Sequence, residues 1–75
     1  MAKIKIRLDT WTAAVKLATI AHKFENETIT ITDGNGLRCN AKSFLGAVSA
    51  TEYENLWLES EKDHWFDFKD FMIEE

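Results

Sequence analysis

Alternation in some stretches and helical spacing in others predict an α+β domain of two layers, a four-stranded antiparallel sheet carrying three helices on one face. Three observations lead there. Ile4, Ile6 and Leu8 alternate with Lys3, Lys5 and Arg7, the period of a strand with one buried face. Ala13, Ala14, Leu17, Ile20, Ala21 and Phe24 recur at helical spacing, with Lys16, Thr19 and Lys23 opposite. Each later strand likewise gathers its aliphatic residues on one side, so the helices lie together on one face of the sheet.

The elements follow in the order β-α-β-β-α-β-α. Asp9 or Thr10 caps a first helix over residues 10–24. Thr28 to Thr32 is β-branched throughout and forms the second strand, isoleucines inward. Asp33-Gly34-Asn35-Gly36 supplies residues that tolerate positive φ, hence a hairpin turn into a third strand over Leu37 to Ala41, with Cys39 inward. Ser43 caps a short helix through Ala50. Glu54 to Glu59 is the fourth strand, Leu56 and Leu58 on one face and Trp57 on the other. Asp63 then caps a terminal helix whose stripe is Trp65, Phe68, Phe71 and Met72. This pattern alone is equally that of a ferredoxin-like βαββαβ unit.

Size and charge narrow the functional classes. At 75 residues the chain is a single domain, residues 1–75, with room for one modest core. The formal net charge of −4 carries no polybasic signature for nucleic acid. Residues 1–43 hold seven Lys or Arg against four Asp or Glu, and residues 52–75 hold two against nine, the pattern of a solvated acidic face. The lone Cys39 forms no internal disulfide and fits a reducing compartment. Lysines alternate at the N-terminus where a signal peptide needs an apolar core, and no apolar run is long enough to span a bilayer. The expectation is a cytoplasmic domain with neither membrane nor nucleic acid as partner.

Asn40-Ala41-Lys42-Ser43-Phe44-Leu45-Gly46-Ala47-Val48-Ser49-Ala50 resembles the regulatory-serine motif of the HPr family, the small phosphocarriers of the bacterial sugar phosphotransferase system. That resemblance implies a sheet order of 1-4-2-3 and a kinase that phosphorylates Ser43. The family also carries a phosphate-accepting histidine at the start of its first helix, within Gly-(Ile/Leu)-His-Ala-Arg-Pro-Ala. Counting back from Ala21-His22-Lys23-Phe24, which resembles the family's Ala-x-Lys-Phe, puts Thr10 at the histidine, Thr12 at the arginine and Ala13 at the proline. Both the acceptor and its cationic partner are replaced. A threonine hydroxyl, with a far higher pKa than imidazole, is no substitute carrier.

The resemblance therefore implies a divergent HPr-like protein without histidine phosphotransfer, a regulatory or protein-binding domain controlled through Ser43. A catabolite-repression paralogue in the family lacks the same histidine and works through its phosphoserine, as a corepressor. A phosphoserine at a helix start meets favourable backbone dipoles, and Lys42 supplies a cation beside it. Phe44, Leu45 and Val48 match family positions that meet partner proteins, and Trp11 adds a bulky aromatic to that surface. The partners implied are phosphotransferase-system components, HPr kinase or a transcription regulator. Two alternatives stand beside this: a phosphocarrier with an unconventional acceptor, and an interaction module unrelated to sugar transport. His22 and His64 are read as surface or boundary side chains. No catalytic residue, cofactor or metal site is expected: Cys39 has no neighbouring base, and two histidines and a cysteine lack ligand spacing.

Overall fold

The computed structural model describes residues 2–73. Strand β1 is Ala2–Ile6, helix α1 Trp11–Ala21, β2 Ile29–Thr32, β3 Arg38–Asn40, helix α2 Phe44–Ala50 and β4 Leu56–Ser60; a single 3-10 turn, Lys69–Phe71, follows. The sheet has four antiparallel strands in the order β1-β4-β2-β3. Because β1 and β2 both pair antiparallel with β4, they run parallel to each other. Helices α1 and α2, each returning the chain along the sheet, consequently run antiparallel and pack side by side. Ile4, Ile6, Ile29, Ile31, Leu56 and Leu58 face Ala14, Leu17, Ala18, Ala21, Ala47 and Ala50 in one buried core. Alanines on the helical side let the helix axes come close to the isoleucine layer.

Local chemistry explains most boundaries. Thr10 N-caps α1, its Oγ1 accepting the Ala13 N–H at 3.1 Å, and Ser43 N-caps α2 with the Gly46 N–H at 3.1 Å. Helix α1 stops at Ala21, three residues short of the expected end, because Lys23 and Phe24 close the chain with tighter bonds to Ile20 and Ala21. In the β2–β3 turn Asp33 accepts three backbone N–H groups, from Asn35, Gly36 and Leu37, which hold its carboxyl below the usual aspartate range. Gly34 there takes φ +76°, the left-handed region. Trp57 lies on the uncovered sheet face, as its alternation with Leu56 and Leu58 requires.

The expected third helix does not form, and the described residues hold two α-helices. Asp63 does accept the Trp65 N–H at 3.0 Å, but the chain continues as turns into Lys69–Phe71. Two anchors set this course. His64 is held by Glu27 at one end, and at the other Met72 forms an antiparallel bridge with Ile6 while the Arg7 N–H donates to Phe71 O and the Ile73 N–H to Lys5 O. A helix running to Met72 could not supply that extended backbone to the β1 edge. Phe68 and Phe71 still reach the core, whereas Trp65 and Phe66 stay exposed.

Candidate functional site

The residues picked out in the sequence lie on the outer side of the α1–α2 layer. Trp11 is the first residue of α1 and 71% exposed. Phe44 and Leu45 open α2 and are 46% and 79% exposed, while Val48, one turn on, is half-buried against the core. Thr10, Thr12 and Ser43 are exposed. Eight large apolar side chains are exposed among the described residues, and four of them, Trp11, Val15, Phe44 and Leu45, belong to these two helices.

The antiparallel helices do not gather these residues at one point. The ring of His22, at the C-terminal end of α1, stacks on Phe44 with centroids 5.4 Å apart. Trp11 stands at the other end of α1, about 16 Å away along the axis. Ser43, Phe44 and Leu45 therefore share one end of the layer with His22, and Trp11 marks the opposite end, with Val15 on the turn between. His22 is exposed, as the sequence reading of a surface side chain has it; its stacking on Phe44 is what that reading does not contain. Its spacing from Trp11, three helical turns on the same stripe as Val15, is the signal that places it beside the α2 surface.

Lys42, expected to stand as a cation beside Ser43, has its ammonium turned to the α1–β2 loop. Its Nζ donates to Glu27 O at 2.7 Å and Glu25 O at 3.2 Å, tying the α1–β2 loop down. Its ammonium is committed to that loop, and the ring nearest the α2 start is His22. At the α1 start, the Arg7 guanidinium is paired with Asp9 at 3.1 Å, so Thr10 follows directly on a carboxylate. A phosphate at Thr10 would meet that negative charge with no unpaired arginine beside it.

The remaining reactive groups are held in structural roles. The Cys39 thiol points at the Gly46 and Ile31 carbonyls, 3.5 and 3.8 Å away, and burial pushes its pKa up. A side chain at Gly46 would place its Cβ 3.3 Å from the Cys39 Cβ, so α2 rests closely on β3 at this point. His64 is 11% exposed: Nε2 lies 2.6 Å from a Glu27 carboxylate oxygen, Nδ1 lies 3.9 Å from Asp67, and its ring stacks on Phe24 at 4.0 Å. Burial opposes ionisation of Glu27, but the bonds to His64 and the Lys62 N–H outweigh it and hold the carboxyl below its ordinary value of 4.5. This latch joins the α1–β2 loop to the segment after β4, a pairing no sequence spacing announces. Among the described residues no group of three or more His, Cys, Asp or Glu could hold a metal ion, and no helix is long and apolar enough to cross a membrane.

No family model matches the chain, and the curated proteins and solved structures likewise contain no match.

Proposed function

We propose that this chain is a divergent HPr-like domain that binds protein partners through the outer surface of α1 and α2 and does not carry phosphate on a histidine. The observation that carries the reading is the exposure of Phe44 and Leu45 immediately after the Ser43 cap, at the end of the layer where His22 also lies. An exposed aromatic and an exposed leucine on rigid helices are the material of a binding hot spot, because they lose apolar surface on docking at little entropic cost. Ser43 is the regulatory position in this reading. Its hydroxyl is exposed and accepts only the Gly46 N–H among the bonds around it. The paired Asp9 and Arg7 ahead of Thr10 support the absence of phosphotransfer at the α1 start.

Partners of the expected chemistry are phosphotransferase-system components, HPr kinase or a transcription regulator that reads a phosphoserine. The deciding experiment incubates the chain with HPr kinase and ATP, and in parallel with enzyme I and phosphoenolpyruvate, alongside an intact HPr. Acid-stable phosphate on Ser43 with none on histidine is the expected result. An acid-labile phosphohistidine on this chain overturns the reading in favour of an unconventional carrier. No label at Ser43, with intact HPr labelled in the same tube, removes the regulatory branch and leaves an interaction module outside sugar transport.

A further inference from the structure

Charge is spread unevenly over this molecule, and the helical layer is nearly free of it. In a chain with 29% charged residues, α2 contains none and α1 only Lys16. Lys16 lines a groove on the other flank of α1 with Thr12, Thr19 and Asp70. The α1 stripe next to α2 runs Trp11, Val15, Ala18, His22, with Phe44 and Leu45 beside its far end. Charged side chains return past the helix ends, with Lys23 after α1 and Glu52 after α2. An uncharged centre with charge at the rim is the anatomy of a protein contact. The other exposed aromatics differ: Tyr53 stands between Glu52 and Glu54, and Trp65 and Phe66 between Asp63 and Asp67. On a chain of net charge −4 those positions repel a second copy, whereas the helical layer meets one with least repulsion.

We propose that a second copy of the chain occupies this layer in the free protein, forming a symmetric homodimer, which presupposes that α1 and α2 are the binding surface proposed above. Layout and area point to a second copy. Aromatic side chains stand at both ends, Trp11 at one and Phe44 with Leu45 at the other, about 16 Å apart along α1. A two-fold axis lying in the contact plane and oblique to the helices exchanges those ends. Each Trp11 then covers Phe44 and Leu45 of the other copy, and the contact is made twice. Val15 and the half-buried Val48 lie between the two contacts, and no charge sits at the axis to meet its own image. Trp11, Val15, Phe44 and Leu45 leave roughly 500 Å² exposed, taking a whole aromatic side chain at about 200 Å². Two copies therefore bury about 1,000 Å², the lower bound for a specific interface, which suits a dimer that gives way to a partner. A different partner docking on the α2 start needs only Phe44 and Leu45; the second copy uses both ends.

The experiment is sedimentation equilibrium on the full chain from micromolar to millimolar concentration, where a reversible dimer is expected. Trp11→Lys and Leu45→Glu should each weaken it at least about tenfold. Mixing these two variants in equal amounts should restore a dimer. The new lysine of one copy then faces the new glutamate of the other, and the remaining Trp11 faces the remaining Leu45. Leu45→Gln, which removes the apolar contact without adding charge, should weaken the dimer in the same direction and guards against a misfolded charge variant. Trp65→Lys, on the segment after β4, should leave dimerisation unchanged. A monomer at every concentration overturns the proposal, as does a dimer that the folded Leu45 variants leave intact. A mixture that stays monomeric, or loss of the dimer in Trp65→Lys, overturns it as well. A monomer that HPr kinase still labels at Ser43 removes the dimer alone, and an unlabelled dimer upholds it while removing the regulatory branch.

Discussion

The two helices begin with the same bond and differ in everything around it. Thr10 and Ser43 each accept one backbone N–H at 3.1 Å three residues on. Ahead of Thr10 stands Asp9, paired with Arg7; ahead of Ser43 stands Lys42, drawn off to the carbonyls of Glu25 and Glu27. After Thr10 comes a single exposed aromatic, Trp11, whereas Ser43 is followed by Phe44 and Leu45 with the His22 ring stacked alongside. A hydroxyl cap is thus neutral evidence about function. The charge before it and the apolar surface after it separate a purely structural helix start from a candidate docking point.

Substitutions that split the two starts sharpen this contrast. The largest expected effect is on binding: Leu45→Glu should weaken a partner that docks on the α2 start by about 2 kcal/mol or more, with Trp11→Ala weaker in effect. Isothermal titration against whichever of the proposed partners binds the unaltered chain checks it, and equal effects at the two positions would merge the two starts into one surface. Next, Lys42→Ala removes two charge-assisted bonds to loop carbonyls and should lower stability by about 1.5 kcal/mol. Urea unfolding measures this, and a loss within error would show that the loop holds without Lys42.

Smaller still are the caps themselves. Thr10→Ala and Ser43→Ala should each cost about 1 kcal/mol, and Ser43→Asp less, since a carboxylate caps equally well. Ser43→Asp therefore adds charge while keeping the helix start, and any change it makes in binding belongs to the charge. The smallest effect is a pH dependence. The Glu27 carboxyl is depressed below 4.5, so its contribution is present above that value and is lost as pH falls through the lower folded-state value. Glu27→Gln should flatten the acid limb of the stability curve, and an unchanged limb in denaturant melts would show that the His64 latch adds nothing.

The strands, both helices and the Ser43 cap are legible in the residues because they rest on local rules, while the choice of Thr10 over Asp9 at the first helix came from the structure. Ile4 and Ile6 alternate with lysines, Ala14, Leu17 and Ala21 fall on one stripe, and Ser43 precedes an apolar run. The terminal helix was misjudged for a definite reason. Trp65, Phe68 and Phe71 recur every third residue, which suits one side of a helix and a run of tight turns equally well. Nothing within residues 61–73 chooses between them.

What the residues settled by themselves is the two-layer α+β architecture, the single covered sheet face and the serine at the start of α2, since period and capping act within a few positions. Tertiary structure alone decided where the chain is pinned: Glu27 against His64, Ile6 against Met72, and His22 rather than Trp11 against Phe44. Those pairings join residues far apart in the chain, and they form because the antiparallel helices and the β1 edge bring them within reach once the core has closed.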